Sequence, residues 1–489
     1  MADGPETQKP EKLTEETKMP VNSTHPDYDA TLPDWLRARD VLAGEDAVKA
    51  GGEKYLPRLD SQTDEEFLAY RKRAAFFNAT ARSAEGFVGL IFRRPPFVKL
   101  PEAQAGPATS GIGRALAAFV NDADMLGTTL AGYAKSVTTE VVGVGRAGSL
   151  VDWEGDVEKR AYVALYSAEQ IINWRVERVN GRNIPTLIVL REVLADGHHP
   201  SETPDDLFEF KAQQQVRVLK LVAGDGANDP SGGSSASHPR PFHYQVEIWR
   251  SQVNRNKRAK VEWVLAETKI PLRLGKPSPL IPFVFHGPSH SRPDVEKLPL
   301  QDVIAVNLDH YRLNADYKHS LHFTALPTAW VSGFDKSASL RIGSSTAWVS
   351  ETPGATAGYL EFTGHGLTSF ERAMDRDEKL LAVPGSRLLQ DQKKVGETAE
   401  AIRLRQSGEE SVLGAIATSV SDSLTQVLRW IYWWNSTEAL PTGLTKSEVT
   451  IRPQQRLRPR GNVQPGLASC RGRVAGQRNQ QGHHVRIVP

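Results

Sequence analysis

The stretch that decides the fold spans residues 366–434 and reads GLTSFERAMDRDEKLLAVPGSRLLQDQKKVGETAEAIRLRQ, then SGEESVLGAIATSVSDSLTQVLRWIYWW. In its second half, apolar residues recur at steps of three or four, which is the periodicity of one face of a helix. They are Leu413, Ile416, Val420, Leu424, Val427, Ile431 and Trp434. Ser407 and Glu410 have the spacing of a capping box. We therefore predict a long amphipathic helix that begins near Ser407.

The first half of the stretch predicts a charged helix over residues 366–383, which the Pro-Gly dipeptide that follows would end. A polar loop, residues 384–398, then leads to the long helix and carries the adjacent lysines Lys393 and Lys394. Solvated surface charge is the ordinary explanation of two lysines. A functional contact is the alternative, because the loop lies between helices rich in acidic residues, where two lysines stand out electrostatically.

Upstream of this stretch, the sequence predicts another helix followed by a small module. Residues 300–325 have the periodicity of a helix, and residues 333–365 are short, glycine-rich and β-like. A small β-like module therefore separates two helices, which places it at the end of a helical pair. The helix carries His310, His319 and His322, but no cysteine or acidic residue completes a convincing metal site, so we interpret them as a polar stripe.

The remaining chain alternates between helix-like and strand-like parts, so the predicted fold class is α+β. A capping box at Thr63 opens a helical face that continues to Phe92, Ile112 to Glu140 is again helix-like, and structure is expected to begin near Leu32. We divide the chain into a disordered arm (1–30), a helical part (31–160), a β-rich part (161–297), a first helix (298–332), the small module (333–365), a charged helix (366–383), the polar loop (384–398), a long helix (399–440) and a basic tail (441–489).

The β-rich part contains the strongest short-range hairpin signal of the chain. Asn180-Gly181 separates two apolar runs, and this dipeptide favours the two-residue turn of a hairpin. Further strands are expected at VRVLKLV, YQVEIWR, VEWVLAET and IPFVFH.

Composition describes an ordinary globular chain with an unusual end. Of its 489 residues, 24% are charged and 39% are hydrophobic, and the single cysteine, Cys470, excludes an internal disulfide. No signal peptide and no run of about 20 apolar residues, as a membrane helix needs, can be seen. The formal net charge is +2, but eight arginines and no acidic residue lie in 452–489. With these arginines set aside, 52 of the 60 basic residues remain against 58 acidic ones, a net of −6.

A glycine motif offers one route to an enzyme. Gly143, Gly145 and Gly148 spell the G-x-G-x-x-G fingerprint of dinucleotide-binding proteins, which would make the chain an NAD-type oxidoreductase. That fingerprint must follow a strand and open a helix. Here the residues that follow resemble a strand, so a turn between a helix and a strand is the favoured interpretation. We find no catalytic constellation, no P-loop and no cofactor site, and we predict that the chain is not an enzyme.

An aromatic cluster ends the long helix. A membrane-interface belt is one explanation of this cluster, but the helix is not rich in lysine around it. Packing or a contact between subunits is the favoured explanation, because aromatic residues are enriched at protein interfaces. The residues predicted to pack between subunits are Leu424, Trp430, Ile431, Trp433 and Trp434.

Residues 30–451 resemble the portal proteins of tailed bacteriophages. The segments that carry the resemblance are DWLRARDVLAGEDAVKAGGEKYLPRL, YRKRAAFFNATARSAEGFVGLIFRRPP, GRAGSLVDW, INWRVERVNG and ETAEAIRLRQSGEESVLGAIA. The resemblance implies a ring, usually twelve-fold, around a DNA channel, built from a wing, a two-helix stem, a clip, a tunnel loop and a crown. By this resemblance 300–325 and 366–383 form the stem, 333–363 the clip, and 399–440 a wing or crown helix. The tunnel loop, 384–398, would bring Arg387, Gln390, Gln392, Lys393 and Lys394 to the DNA.

The resemblance also implies partners and a place of action. The expected partners are further copies of the chain, double-stranded DNA, the terminase large subunit, capsid and scaffolding proteins, and a head-completion or tail adaptor. A separate ATPase would supply the energy, no membrane is involved, and the expected locations are the virion and, during assembly, the host cytoplasm. The alternatives are the oxidoreductase and another ring-forming head-assembly protein without DNA transport.

The tail, residues 452–489, departs from the family pattern. It has no acidic residue and no helical periodicity. A shift of one nucleotide in a compatible back-translation gives an apolar run that could form a helix, which is an unlikely accident. We therefore interpret the tail as the product of a frameshift, with a functional basic tail as the alternative.

Overall fold

Helices and antiparallel sheets alternate along the part of the chain that the computed structural model describes. These residues are 20–99, 111–155, 157–179, 181–195, 212–223, 242–254, 260–324, 328–334, 348–360, 366–385, 399–437 and 450–452. The helices are α1 (Pro26–Ala43), α2 (Glu45–Ala50), α3 (Asp64–Arg73), α4 (Ala79–Ile91), α5 (Gly111–Asn121), α6 (Leu130–Val144), α7 (Gln301–Thr324), α8 (Leu367–Gly385) and α9 (Ala399–Asn435). The fold is therefore α+β.

The strands form small antiparallel sheets and one larger one. They are β1 (Phe97–Lys99), β2 (Ala147–Glu154), β3 (Arg160–Ser167), β4 (Ile171–Val179), β5 (Arg182–Ala195), β6 (Ala212–Ala223), β7 (Phe242–Asn254), β8 (Lys260–Lys269), β9 (Leu272–Arg273), β10 (Lys276–Pro277), β11 (Phe283–His286), β12 (Thr328–Ser332), β13 (Thr356–Leu360) and β14 (Thr450–Arg452). The five strands β4 to β8 form a meander in chain order, and a second sheet has the order β11-β2-β3.

The predicted strands and hairpin are confirmed. β4 and β5 pair antiparallel across the Asn180-Gly181 dipeptide, and Gly181 has a φ of 80°. A positive φ at this position is what the favoured two-residue turns require, and glycine reaches it without strain. The strands predicted at VRVLKLV, YQVEIWR, VEWVLAET and IPFVFH are β6, β7, β8 and β11. β2 begins at Ala147, so strand structure also occupies the end of the part that we predicted to be helical.

The structured body begins earlier than predicted. α1 starts at Pro26, after His25, whose Nδ1 accepts a hydrogen bond from the backbone N of Asp27 at 3.1 Å. Tyr28 is already buried, so the predicted arm over 1–30 is too long at this end. Proline is favoured in the first turn of a helix, and in α1 this position belongs to Pro26 rather than to Pro33. The helix instead continues through Pro33. Residues 1–19 of the predicted arm lie outside the described residues.

The predicted single helix over 63–92 is two helices. The capping box at its start is confirmed, because the backbone N of Thr63 donates to Glu66 Oε2 at 2.8 Å and the backbone N of Glu66 donates to Thr63 Oγ1 at 3.3 Å. The chain then leaves the helix at Ala74, where ψ is 143°, and α4 begins after the cap Asn78.

Two asparagines of α7 hold this break open. Asn314 Oδ1 accepts a hydrogen bond from the backbone N of Ala75 at 2.9 Å, and Asn307 Nδ2 donates to the carbonyl oxygen of Phe77 at 2.8 Å. Asn307 Oδ1 also accepts from the backbone N of Thr80 at 3.1 Å. Backbone groups that a continuous helix would pair internally are therefore satisfied from α7, which explains why the helix is interrupted although the apolar periodicity continues.

The helix-like region from Ile112 to Glu140 is also interrupted. α5 ends at Asn121, and α6 begins only at Leu130. Between them Asp124 Oδ1 accepts hydrogen bonds from the backbone N of Leu126 at 2.9 Å and of Thr128 at 3.2 Å. An aspartate that bonds nearby backbone groups in this way competes with a helix, so the turn forms at this carboxylate.

The long helix lies within its predicted range, 399–440. α9 begins at Ala399, ends at Asn435 and continues through Ser407, so the start that the capping box indicated near Ser407 is wrong. The preceding residues AEAIRLRQ are strong helix formers, and this propensity outweighs the capping signal. The predicted apolar face is confirmed, because its seven residues from Leu413 to Trp434 are all buried.

Hydroxyl side chains hold α9 between two other parts of the chain. Ser419 Oγ donates to the carbonyl oxygen of Gly287 at 2.8 Å, and Ser423 Oγ lies 2.7 Å from His286 Nδ1. Residues four apart share a helix face, so Ser419 and Ser423 both point toward the end of β11. A second such pair points toward β14.

The second pair, Ser421 and Thr425, binds both backbone groups of Ile451. Ser421 Oγ donates to the carbonyl oxygen of Ile451, and the backbone N of Ile451 donates to Thr425 Oγ1 at 3.3 Å. Ile451 itself is 1% exposed, and its strand β14 pairs antiparallel with β1. Residues 450–452 therefore belong to the body, which corrects the predicted tail boundary at 441. The rest of the predicted tail, 441–449 and 453–489, lies outside the described residues.

A buried hydrogen-bonded chain ties α6 and the sheet to α9. Ser423 Oγ donates to the carbonyl oxygen of Val420 at 2.9 Å, so it accepts the hydrogen bond from His286 Nδ1. His286 Nε2 is then the acceptor for Ser149 Oγ at 2.6 Å. Tyr133 Oη in turn contacts Ser149 Oγ at 2.6 Å. Each group has its partner only when the imidazole is neutral and carries its proton on Nδ1.

The boundary of the tail can be tested by two truncations. A chain that ends at Arg452 should unfold at the same urea concentration as the full chain, because β14 and its contacts remain. A chain that ends at residue 449 should lose about 3 kcal/mol of unfolding free energy, since the buried Ile451 side chain and its hydrogen bonds are removed. Ile451→Ala in the full chain is the matched control and should reproduce most of this loss. Equal stability of both truncated chains would contradict the assignment.

The His286 network predicts a pH dependence of stability. Burial lowers the pKa of His286 from 6.5 to about 3. Between these values the unfolded chain binds a proton that the folded chain does not, so stability falls as the pH decreases below 6.5. From pH 7.5 to pH 5 this histidine should cost about 2 kcal/mol. Urea unfolding of His286→Gln should show a pH dependence smaller by this amount, whereas His243→Gln, at a histidine that is not buried, should behave as the wild type. Identical pH profiles for the wild type and His286→Gln would refute the prediction.

Candidate functional site

α7 and α8 form an antiparallel pair. Tyr317 Oη donates to Glu371 Oε1 at 3.0 Å, and Asn314 Nδ2 lies 4.0 Å from Met374 Sδ. Further along, His310 Nε2 lies 3.5 Å from Glu378 Oε1. Positions fall along α7 as they rise along α8, so the two helices run in opposite directions. The helical pair that the sequence predicts is therefore present, over 301–324 and 367–385.

The connection between the two helices is a β-hairpin. β12 and β13 pair antiparallel over five residue pairs, from Thr328 with Leu360 to Ser332 with Thr356. The predicted module at 333–365 therefore starts too late, because β12 lies in the segment that we assigned to the first helix. The hairpin exposes Trp330 (46%) and Tyr359 (54%). Residues 335–347 and 361–365 of the predicted module lie outside the described residues.

Burial decreases along the helical pair toward the hairpin. Near the body, Leu308, Tyr311 and Leu381 are buried. Asp377 is also buried there, and desolvation raises the pKa of its carboxyl group, with a further contribution from Asp309. Near the hairpin, Lys318 and the first turns of α8 are largely exposed. The body therefore holds one end of the pair and leaves much of the other end to solvent.

The exposed surface of α8 carries both signs of charge. Its acidic residues, Glu371, Asp375 and Glu378, lie one helical turn apart, and each is followed directly by a basic residue, Arg372, Arg376 and Lys379. Adjacent positions lie about 100° apart around a helix, so an acidic stripe lies beside a basic one. The helix is therefore less acidic than the sequence interpretation assumed, which weakens the contrast expected for nearby lysines.

The predicted tunnel-loop residues cannot be placed. Arg387, Gln390, Gln392, Lys393 and Lys394 lie in 386–398, outside the described residues. Their contact with DNA stays a prediction. The loop would connect the end of α8 at Gly385 with the start of α9 at Ala399.

The residues predicted to pack between subunits are buried within the chain itself. These residues are Leu424, Trp430, Ile431, Trp433 and Trp434. The ring of Trp434 stacks on Trp153 of β2 with centroids 6.2 Å apart, and the guanidinium of Arg273 lies 4.4 Å from the ring of Trp433. Packing within one chain explains the aromatic cluster, so the cluster no longer supports a contact between subunits. Such a contact stays untested.

A linker, residues 287–300, joins β11 to α7 and is fixed to the body. The buried Arg146 donates through Nη1 to the carbonyl oxygens of Pro293 at 2.6 Å and Asp294 at 3.2 Å. Its guanidinium lies 4.3 Å from the ring of Trp174 and 5.0 Å from that of Phe285. Burial lowers the pKa of Arg146 to about 10. The start of the helical pair is thus held by a buried cation between two aromatic rings.

The glycine motif has the wrong context for a dinucleotide. Gly143 lies inside α6, Gly145 ends this helix with a φ of 81°, and Gly148 lies in β2. The motif joins a helix to a strand, whereas the fingerprint joins a strand to the helix that binds the pyrophosphate. A side chain at Gly148 would lie 2.2 Å from the ring of Phe283, so packing explains this glycine. The structure therefore argues against the oxidoreductase alternative.

The Ser149–His286–Ser423 network contains the residue types of a nucleophile and a base, and sequence reasoning missed it. All three residues are at most 1% exposed. A substrate could reach the hydroxyl groups only by opening the core, so the network is structural. Nothing in the local sequence marks it, because its members come from β2, β11 and α9.

Two further observations concern the histidine stripe of α7 and the possibility of a membrane helix. His319, from the polar stripe of α7, lies edge-on to Tyr70 with ring centroids 5.2 Å apart. In the described ranges, none of the helices has the length and apolar character that crossing a bilayer demands.

One family model matches part of this chain. A domain of unknown function, DUF4055, matches residues 299–435, which are 137 of the 489 residues. The matched range contains α7, the hairpin, α8 and all of α9. No functionally curated protein matches the chain.

Two solved structures are similar at a low level. One is a chain of the virion of a native gene transfer agent particle, at 9% identity and a TM-score of 0.36, over 83% of this chain and 89% of that chain. Another belongs to the neck of an empty gene transfer agent particle computed with C6 symmetry, at 10% identity and a TM-score of 0.36, over 85% of this chain and 90% of that chain. Similarity at this level defines neither the fold family nor the role of this chain.

Proposed function

We propose that the chain is a portal subunit that forms a ring around a channel for double-stranded DNA at one vertex of a phage-like head. The observation that carries the proposal is the order of elements in the described structure. An antiparallel helical pair, α7 and α8, encloses a β-hairpin, and the long helix α9 follows. This is the order that the sequence resemblance implies for stem, clip and crown.

The burial of the helical pair supports the role of a stem. One end is held by buried residues and by the asparagines that bind the α3–α4 break, while the hairpin end is largely uncovered. In a ring, neighbouring subunits would cover part of this surface and the channel would contact the rest. The acidic and basic stripes of α8 lie side by side, so either stripe could face residues of opposite charge on a neighbouring subunit.

The charge pattern also suits DNA that must move. Each strong phosphate contact adds salt-dependent affinity, so a channel with many such contacts would retain DNA rather than let it slide. On α8 every basic residue lies next to an acidic one, which limits the attraction for phosphates. The energy for movement would come from a separate ATPase, the terminase large subunit. Capsid and scaffolding proteins and a head-completion or tail adaptor are the other proposed partners, in the virion and in the host cytoplasm during assembly.

The first test is the assembly state of the purified protein. Heterologous contacts that close form a ring, so we expect about a dozen chains, or roughly 650 kDa for chains of 53.9 kDa. Sedimentation gives the mass, and negative-stain images give the symmetry and the bore. A stable monomer at micromolar concentration would contradict the proposal. A ring without a bore for duplex DNA would favour a head-assembly protein that does not transport DNA.

The second test concerns Lys393 and Lys394. Changing both to glutamate should leave the ring intact but reduce the filling of heads or the retention of DNA, because a lysine contacts phosphates as a point charge without reading bases. The defect should be larger at low salt, since the Debye length is about 30 Å at 0.01 M. The measurement is the DNA packaged per head in vitro with the motor supplied.

The matched control changes Lys269 and Lys276, two exposed lysines outside the predicted tunnel loop, to glutamate. It alters the net charge by the same amount as the change at Lys393 and Lys394. It should package DNA as the wild type does. Normal filling and retention by the Lys393/Lys394 variant at low salt would show that these lysines are only solvated surface.

A further inference from the structure

The acidic and basic stripes of α8 have the same spacing. Each acidic residue is followed directly by a basic one, so both stripes have gaps of four and then three residues and extend about 10 Å along the helix. All six side chains are exposed: Glu371, Asp375 and Glu378 in the acidic stripe, and Arg372, Arg376 and Lys379 in the basic stripe. α8 packs against α7 and α4, and its buried residues Asp377 and Leu381 lie on a third side of the helix. A single chain therefore leaves both stripes to solvent.

Within one chain the order of these charges is unfavourable. Residues four apart are neighbours on a helix, and like charges at this spacing destabilise it. Glu371 precedes Asp375 by four positions, and Arg372 precedes Arg376 by four. Asp375 and Lys379 have opposite charges at this spacing, but neither forms an ion pair with any part of the described structure. The helix is thus not arranged to satisfy its charges internally.

The contacts that the stripes do make leave most of their surface exposed. Glu371 Oε1 accepts a hydrogen bond from Tyr317 Oη at 3.0 Å, and Glu378 Oε1 lies 3.5 Å from His310 Nε2. Arg376 Nε lies 3.7 Å from the carboxylate of the next residue. The side chains of Glu378 and Arg376 are nevertheless 60% and 71% exposed. Both stripes can therefore accept a further partner of opposite charge.

The spacing fits a second copy of the same helix. If a parallel copy lies beside α8, a displacement of one residue, about 1.5 Å, sets every acidic residue opposite a basic one. An antiparallel copy aligns at most two of the three pairs, because its gaps occur in the reverse order. Rotation about a ring axis keeps equivalent helices at the same height and, when they lie along the axis, parallel. The long charged side chains easily span the small offset that remains.

An exposed apolar residue lies beside the basic stripe. Leu380 is 49% exposed and follows Arg376 by one helical turn. A copy that covers the basic stripe would also remove Leu380 from water, which adds stabilisation that does not depend on charge. The apolar surface and the charges thus favour contact with another protein surface on the same side of α8.

We propose that α8 is a contact between copies of this chain, in which the acidic stripe of one copy faces the basic stripe of the next. Two different stripes meet, so the contact is heterologous, and each copy can bind one neighbour through either stripe. Contacts of this kind close into a ring. The inference rests on the proposed ring and identifies a surface that holds it together.

The experiment reverses each stripe in the full chain and measures assembly by sedimentation. The acid-reversed variant carries Glu371→Lys, Asp375→Lys and Glu378→Lys, and the base-reversed variant carries Arg372→Glu, Arg376→Glu and Lys379→Glu. Each variant has a single sign of charge on both stripes, so like charges would meet and neither variant alone should assemble. An equimolar mixture of the two should assemble, because every contact between unlike variants joins opposite signs.

Smaller changes keep the test if urea unfolding shows that a triple variant is not folded. Asp375→Lys alone should raise the protein concentration of half-assembly by about fivefold, and Arg376→Glu alone should do the same. The two changes in one chain exchange charges that face each other across the contact, so the double variant should recover most of the loss. Two independent solvated residues would not show this recovery.

A matched control reverses three exposed acidic residues outside α8, by Asp46→Lys, Asp60→Lys and Glu65→Lys. This variant changes the net charge as much as the acid-reversed variant does, and it should assemble as the wild type does. Salt is a second check. Raising the ionic strength from 0.1 M to 1 M shortens the Debye length from about 10 Å to about 3 Å, so assembly of the wild type should weaken.

The outcomes distinguish this inference from the proposed function. A wild type that stays monomeric contradicts both. A wild type that forms a ring while both reversed variants assemble equally well overturns the inference about α8 and leaves the portal proposal in place. Reversed variants that fail to assemble even as a mixture also overturn it, because the stripes then do not face each other. Loss of assembly in each variant, restored by mixing, supports the contact.

Discussion

The row of buried hydroxyl groups on α9 is the constraint on which the arrangement of the described structure depends. Ser419 and Ser423 point to the end of β11, while Ser421 and Thr425 point to β14. The apolar face supplies burial, which is not directional. The hydroxyls supply direction, because each one left unpaired in the core would cost about 1–3 kcal/mol. α9 can therefore neither rotate nor slide by one residue without losing several of these bonds.

Local patterns in the sequence predict the elements that local interactions form. The apolar period of α9, the Asn180-Gly181 turn and the capping box at Thr63 all appear as expected. Each depends on residues a few positions apart. The extra turns of α9 before Ser407 show the limit of a single signal, because a helix can continue through a cap sequence when its neighbours favour helix.

The elements that the sequence could not predict depend on distant residues. The break after α3 is held by Asn307 and Asn314, more than 200 positions away along the chain. The exposure of the α8 stripes is equally hidden, since α7 and α4 decide which side of that helix is buried. An asparagine or a charged residue in a helix has many explanations in isolation. Only the folded chain shows which backbone groups face the one and whether solvent surrounds the other.

The anchoring of the linker has a mechanical consequence. Arg146 holds the carbonyls of Pro293 and Asp294, and Ser419 and Gln426 of α9 hold the linker at Gly287 and Ser291. Packed elements and hydrogen-bond networks are what carry coupling between distant parts of a protein. A force along the axis of α7 would therefore load these bonds before it reached the sheets. Part of that force would pass directly to α9, so α7 and α9 would move together rather than independently.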